Sequence, residues 1–415
     1  MIYNYNQILE IFKPEYLHYF QNRNKIQIFK KLLRNLKILS FGIFHKNEKV
    51  IITKDVVLNF NLNIHNQMFK SINLIFDPKK YIFISDDKNI IKELEKNNFE
   101  CINTNNLWNL NYSELLKIIF NFLLFLIKLI IVKKKNKELF YYLINSDLFQ
   151  KIISIKKNIV FSNNIKIINF DDADIKTRII NLYVFNKNET YSIQQGLILD
   201  NSIEYFYPIS KNFIVYGDYF KEKLIKNFNL KRNIVSVGVF ELIHLYNHNL
   251  KKEHLDSFLY ISQPYVSSLF KSFYEKIIYD LLVSKIFKNK LIYKKYHPFE
   301  GSFTKFINKC LCHNFKNADG DIIQMIFLSK NIITLSSTAA FYSLLFDKNV
   351  IIVKKNGLKS LFFEFEHLNL FTYLDETNYQ NYSSFGKERP SKEQINYLFS
   401  GKLKEQYISY TKILS

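Results

Sequence analysis

Apolar runs of strand length alternate with helix-period segments along most of this chain. Ile38–Phe44 (ILSFGIF) reads as a buried strand and Val50–Thr53 as another. Tyr81–Ser85 (YIFIS) is a third. Asp86 and Asp87 follow as helix-capping residues, and Asn89–Asn97 carries Ile90, Ile91 and Leu94 at helical spacing before a return strand begins at Cys101 and Ile102. Strand, acidic cap, helix, strand is the pattern of a βαβ unit in a parallel sheet. Residues 112–157 read as mostly helical. Strands are then predicted at Asn158–Ser162, Ile165–Phe170, Thr190–Ile193, Phe213–Tyr216 and Ile234–Val237, with helices over Ile175–Asn186 and Tyr219–Asn227. A polar stretch, Asn247–Lys252, interrupts the pattern, which restarts with strands at Ser257–Ser262 and from Leu291, Asn331 and Asn349. Helices are predicted over Ser267–Lys285, over Ser302–Cys312 and from Thr338, and Ser391–Ser415 reads as a terminal helix. Two such blocks predict an α/β chain of two Rossmann-like, doubly wound domains: residues 1–248, residues 249–390, and a C-terminal helix over 391–415.

Composition narrows the class. A chain of 415 residues suits two domains of roughly 200 each, and a 48% hydrophobic content supplies material for two cores. Only 9 Gly and 6 Pro are present, which argues against long disordered linkers. The heavy use of Ile, Asn, Lys, Phe and Tyr reads as nucleotide bias in the gene, so the aromatic content is no evidence of base stacking. The net charge of +21 admits three partners: nucleic acid, an anionic membrane surface, or anionic substrates. No nucleic-acid-binding motif accompanies it, so no nucleic-acid partner is expected. Cys310, Cys312 and His313 suggest a metal, but a zinc site needs about four ligands and the sequence offers no second Cys/His cluster, so no metal is expected. The unpaired cysteines suit a reducing cytoplasm. The N-terminus lacks the basic start, apolar core and cleavage site of a signal peptide. Ile118–Val132 is apolar, but Asn121 and Lys128 break it and it falls short of the ~20 residues of a spanning helix. The basic KKKNKE that follows leaves two readings: a buried core helix, or a helix lying at the interface of an anionic membrane.

Ligands of doubly wound sheets bind at the carboxyl ends of the strands, at the point where strand order reverses. The candidate chemistry falls just after predicted strands. The Leu291 strand runs into KKYHPFEG, where Pro298 fixes a turn that projects His297, and Lys294 and Lys295 add positive charge. An imidazole there can stabilise or protonate a departing phosphate. The Asn331 strand runs into Ser336, Ser337 and Thr338, whose hydroxyls and helix-start N–H groups form an anion site, with Ala339 and Ala340 allowing close helix–sheet approach. Asp171, Asp172 and Asp174 follow the Ile165 strand. Helix capping, at ~0.3–1 kcal/mol each, accounts for one or two of the three. Gln194, Gln195 and Gly196 form a turn after the Thr190 strand.

The pair KYHPFEG and SSTAAFYSLLF resembles the donor half of GT-B bacterial glycosyltransferases, above all the capsule and lipooligosaccharide sialyltransferases and polysialyltransferases. In those families a His-Pro motif and a Ser-Ser/Thr motif hold the CMP part of the donor. The wider group includes Kdo transferases and the teichoic-acid polyol-phosphate polymerases. The resemblance implies a GT-B fold, two Rossmann-like domains facing a central cleft. It implies nucleotide-sugar contacts from His297, Pro298, Ser336, Ser337 and Thr338, with Gln263 and Lys295 lining the same pocket. The Gln194–Gly196 turn stands where related surface-polysaccharide transferases carry Gln-His-Gly. Gln195 replaces the His, so this turn offers contacts to acceptor or phosphate but no proton transfer. The Glu/Asp-Asp-Gly motif that supplies the sialyltransferase base is missing. Asp171, Asp172 and Asp174 are the candidate bases in its place, with Asp200 and Asp218 behind them.

The expected function is transfer of a sugar from a nucleotide donor, CMP-activated and carrying a sialic acid-like nonulosonic acid or Kdo, onto a glycan or glycolipid acceptor of capsule or lipooligosaccharide. The nucleotide sugar is the donor and no cofactor is required. The expected place is the cytoplasm, peripheral at the inner face of the cytoplasmic membrane. Two alternatives stand beside it: a CDP-polyol or phosphosugar transferase of the teichoic-acid type, and a non-catalytic membrane-associated scaffold of polysaccharide assembly.

Overall fold

The computed structural model describes residues 49–59, 66–104, 158–170, 174–200, 209–247, 255–262, 291–295, 315–317, 320–335, 337–353, 361–374 and 390–414. The chain divides into two compact units: Met1–Tyr246 with Leu403–Ser415, and Asn247–Lys402.

In the first unit the described elements run β1 (Val50–Ile52), β2 (Asp55–Asn59), α1 (Asn66–Ile75), β3 (Tyr81–Ser85), α2 (Lys88–Lys96), β4 (Glu100–Asn103), β5 (Ile159–Phe161), β6 (Lys166–Asn169), α3 (Ile175–Val184), β7 (Glu189–Ile193), β8 (Asn212–Val215), α4 (Asp218–Phe228), β9 (Asn233–Ser236) and a 3₁₀ turn, Phe240–Leu245. Seven strands pair in the order β4-β3-β2-β6-β7-β8-β9, every pair parallel. Parallel sheets are covered on both faces, so their strands are apolar throughout rather than alternating. Val56, Val57 and Leu58 of β2 and Tyr81–Ser85 of β3 are accordingly buried. Val50–Ile52 lies outside this sheet. Among the described residues it pairs only with β5, and the neighbouring Asp55–Asn59 enters the seven-stranded sheet between β3 and β6.

The helices obey local rules. Asp87 caps α2, its carboxylate accepting N–H groups of Asn89 at 2.8 Å and Ile90 at 3.3 Å, while Ile90, Ile91 and Leu94 turn to the sheet. Aromatic rings meet edge to face in the core, Phe76 with Tyr81 at 4.8 Å and Phe240 with Tyr410 at 5.3 Å between centroids. Each fully buried ring of this kind contributes ~1.5–3 kcal/mol of hydrophobic stabilisation.

The second unit contains β10 (Leu255–Ile261), β11 (Ile292–Lys295), β12 (Phe315–Asn317), α5 (Ile322–Leu328), β13 (Ser329–Thr334), α6 (Thr338–Tyr342), β14 (Asn349–Val353), β15 (Thr372–Leu374) and α7 (Lys392–Phe399). Its sheet is parallel with the order β12-β11-β10-β13-β14-β15. Phe341 packs against Phe365 at 5.2 Å and Phe399 at 5.0 Å. Both sheets thus start in the middle, run outward one way, then resume on the other side. The order reverses between β2 and β6 in the first unit and between β10 and β13 in the second.

The expected single helix over 391–415 is instead two helices. A capping box at Ser391 and Gln394 starts α7, and Ser400, left-handed at φ 55°, ends it. A new helix, α8 (Leu403–Leu414), then belongs to the first unit. Ser-Gly at 400–401 is a helix stop, and the apolar period on either side masks the break.

Candidate functional site

In the second unit, register places Lys295 of β11, Ile261 of β10 and Thr334 of β13 abreast at the carboxyl edge. This is the point of strand-order reversal, where such sheets bind their ligands. Ser262 continues β10 and its N–H donates to Lys295 O at 3.1 Å. The Thr334 hydroxyl donates to Ile261 O at 3.0 Å and accepts the Ser337 N–H at 3.1 Å. The Thr334 hydroxyl thus ties the ends of β10 and β13 to Ser337, the residue that precedes the helix Thr338–Tyr342. The Lys295 ammonium donates to Gly320 O, which fixes a positive charge one strand away. Its neighbour Lys294 points the other way. It is buried in the sheet face with its ammonium 5.7 Å from the Tyr260 ring, so the expected pair of edge lysines is one edge lysine and one core lysine. Gln263, His297, Pro298 and Ser336 lie outside the described residues.

In the first unit, Asp174 is the N-cap of α3. Its carboxylate accepts the N–H groups of Lys176 at 2.9 Å and Thr177 at 3.0 Å. Burial pushes its carboxyl above the ordinary range, the Lys176 charge and the two N–H groups pull it back, and Asp86 pushes it up again. Asp171 and Asp172 lie outside the described residues, between β6 and α3 in sequence. Lys176 pairs with Asp86. Asp86 follows β3 and Lys176 follows β6, so the ion pair spans the end of β2, which lies between them. Of the expected capping pair, only Asp87 caps; Asp86 is part of this bridge.

The Gln194–Gly196 turn is internally bonded. The Gln194 side chain is buried; its Oε1 accepts Tyr216 N–H at 2.9 Å and its Nε2 donates to Gly196 O at 2.9 Å. The Gly196 N–H donates to Tyr216 Oη at 2.8 Å, and Tyr216 lies 3.3 Å from Glu241 Oε1. Gly196 takes φ +67°, and no atom of the described residues stands within 4 Å of where a Cβ would sit. The Gln194 amide and the Gly196 N–H, offered by the sequence for a phosphate or acceptor, are thus engaged in holding the turn. Gln195 is half-buried, and its Nε2, 3.3 Å from Met68 Sδ, has only that weak sulfur partner among the described residues. Asp200 pairs with Lys223 at 3.0 Å. Burial opposes its ionisation, but the Lys223 hydrogen bond and charge, with Asn227, hold its carboxyl below the ordinary value. Asp218 accepts the Ser236 hydroxyl at 2.7 Å.

Sequence reading missed Thr334, Tyr216, Glu241 and the Asp86–Lys176 bridge. Thr334 had a signal: a hydroxyl at the last residue of an otherwise apolar strand, three residues before a serine. Among the described residues no group of three or more His, Cys, Asp or Glu could hold a metal ion, and no helix is long and apolar enough to cross a membrane. Cys310, Cys312, His313 and the 118–132 stretch lie outside them.

No protein-family model matches the chain, and no curated protein is similar to it in sequence. Solved structures do match. The UDP-GlcNAc 2-epimerase of Methanocaldococcus jannaschii, in complex with UDP-GlcNAc and UDP, superimposes with a TM-score of 0.50 at 10% identity, over 88% of this chain and 100% of that one. The UDP-GlcNAc 2-epimerase of Neisseria meningitidis, bound to UDP-GlcNAc, gives 0.47 at 11% identity over 88% and 94%. The glycotransferase of kitacinnamycin gives 0.44 at 9% identity over 89% and 95%. With the two strand orders above, the first of these likenesses establishes the fold: this is a GT-B chain of two Rossmann-like units.

Proposed function

We propose that this chain is an enzyme acting on a nucleotide-activated sugar, and within that class a glycosyltransferase using a CMP-activated nonulosonic acid or Kdo. The observation that carries the reading is the β10/β13 reversal, where the buried Thr334 hydroxyl ties the strand end to Ser337, with Thr338 next in the chain and Lys295 one strand away. The M. jannaschii protein of the same fold holds UDP-GlcNAc and UDP, which supports a nucleotide sugar as the ligand. The His-Pro and Ser-Ser-Thr motifs support CMP over other nucleotides.

In this reading Ser337, Thr338 and Lys295 neutralise the nucleotide phosphate, and Gln263 lines the pocket beside them. His297, set by Pro298, stabilises the charge that develops on the phosphate as the glycosidic bond to it breaks. A carboxylate of the first unit takes the proton of the acceptor hydroxyl. Asp174 is committed to its helix cap, which leaves Asp171 and Asp172 for that role. The basic surface holds the enzyme at the inner membrane face, near a glycolipid acceptor.

Two measurements test this. Thermal-shift titration with CMP, CDP, UDP and GDP is expected to show stabilisation by CMP; stabilisation by CDP alone shifts the reading to a polyol-phosphate transferase. His297→Ala is expected to lower turnover by at least ~10²-fold with an unchanged melting temperature, and unchanged turnover would sink the assignment. A second reading, a UDP-sugar 2-epimerase, is favoured by the M. jannaschii likeness. It predicts stabilisation by UDP alone and epimerisation of UDP-GlcNAc visible by NMR without any acceptor. Absence of binding by every nucleotide would leave a non-catalytic scaffold.

A further inference from the structure

We propose that Thr334 is the positioning residue of the β10/β13 crevice, its hydroxyl holding the chain in the one conformation that presents Ser337 to the nucleotide. The inference rests on the reading of that crevice as a nucleotide site.

Thr334 ends a strand whose other central positions, Ile332 and Ile333, are aliphatic and buried. Packing alone would be served there by valine, which has the same shape. A hydroxyl at 0% exposure is costly unless it is bonded. Here it is bonded twice: its one proton goes to Ile261 O, and a lone pair takes the Ser337 N–H. These bonds join the ends of the two strands that flank the reversal to the first residue over the crevice. Thr334 itself is sealed from any ligand, so it acts through Ser337.

Ser337 carries the second half of the observation. It is the N-cap of α6, yet its side chain makes no capping bond. The N-caps Asp87, Asp174, Asp321 and Ser391 all bond their helix N–H groups with their side chains. Ser337 as a residue is 7% exposed. Thr334 fixes the Ser337 backbone from below, and the Ser337 hydroxyl is left uncommitted to the helix. A buried serine held by its main chain, with its side chain not used for capping, is suited to receive a phosphate oxygen.

The test uses the full chain with CMP and UDP as probes, binding measured calorimetrically. Thr334→Val keeps the shape and removes both bonds; Thr334→Ser keeps both bonds and removes a buried methyl group. If hydroxyl geometry sets affinity, Thr334→Val binds the preferred nucleotide about tenfold more weakly, the effect of losing roughly one net hydrogen bond. Thr334→Ser then binds within about twofold of wild type although it melts lower. In turnover, KM for the donor rises in Thr334→Val while kcat holds. Wild-type affinity in Thr334→Val overturns the inference, and so does a Thr334→Ser variant as weak as Thr334→Val, because affinity would then follow packing. Should Thr334→Val not fold, Thr334→Cys, a poor hydrogen-bond partner of nearly the shape of Thr334→Ser, takes its place and is expected to bind about tenfold more weakly than Thr334→Ser. A wild-type chain that binds neither probe is a different failure: it removes the nucleotide-site reading, and this inference with it.

Discussion

Replacing Gly238 with alanine is expected to destabilise the first unit severely, because that glycine is where α8 is fastened. Gly238 follows β9 and takes φ +124°, a conformation that residues with a Cβ avoid. Strain of this kind costs about 1–3 kcal/mol. A Cβ there would fall inside the side chain of Gln406, which is fully buried and unable to swing aside into solvent. Overpacking adds about 1–3 kcal/mol. Gln406 Oε1 accepts the Val239 N–H at 2.9 Å, and one helical turn later Tyr410 Oη donates to Gly238 O at 2.9 Å. Displacing Gln406 leaves a buried N–H unbonded, at about 1–3 kcal/mol. Together these reach about 3–9 kcal/mol, against a total stability of about 5–15 for a domain. Urea denaturation followed by circular dichroism measures it, and a loss under about 1 kcal/mol would refute the reasoning. The double variant with Gln406→Ala separates the contributions. With the amide gone the overlap disappears, so the pair should lose at least about 1 kcal/mol less than the sum of the single losses. Strict additivity would show that Gln406 is not the obstacle.

Two further outcomes follow from ionisable groups. Asp174→Asn keeps the acceptor for Lys176 and Thr177 but removes a carboxyl that burial has raised. A carboxyl raised in the folded state binds its proton more tightly there, so its stabilising contribution is full below the unfolded pKa of about 3.9 and is lost as pH rises through the folded value. The Asn variant should therefore melt a few degrees above wild type at pH 7 and lose that advantage towards pH 4; the opposite trend would show that the charge stabilises the cap. The Cys101 thiol is pushed up to about 12 by burial, with Glu95 and Glu100 adding to it. In a Cys310→Ser/Cys312→Ser background it should alkylate at pH 8.5 on the order of a thousandfold more slowly than a free thiol, and a rate within tenfold of one would contradict that burial.

The parts of the fold that were legible are those whose cause is local. Tyr81–Ser85, its acidic cap and the helix with Ile90, Ile91 and Leu94 were all readable because strand run, cap and helical stripe sit within twenty residues of one another. β2 was not. DVVLN is short and bounded by polar residues, and nothing local distinguishes it from the VII run of β1 just before it. It becomes an interior strand only because β3 and β6 both pair with it, and β6 is distant in sequence. β12 and β15 are three residues each and owe their strand form to one neighbour apiece. The α7–α8 break was written locally, in Ser400-Gly401, but the apolar period continues through it.

At the candidate site the residue types were legible and their commitments were not. Polar side chains gather at strand ends for two reasons, holding the turn or meeting a ligand, and composition does not separate them. Asp86 and Asp87 are adjacent and alike, yet one caps α2 and the other reaches Lys176 across β2. Lys294 and Lys295 are adjacent, yet one is sealed in the sheet. Gln194 has both ends of its amide bonded within the first unit, which removes it from the groups free to meet a ligand. The same criterion applied to the second unit gives the opposite result for Ser337, whose main chain is held and whose hydroxyl does not cap its helix. Two of these bonds join residues seventy or more positions apart, Thr334 to Ile261 and Lys176 to Asp86. A turn residue can be told from a binding residue only once those distant partners are known, and by that measure the β10/β13 crevice keeps uncommitted polar groups where the Gln194 turn has spent most of its own.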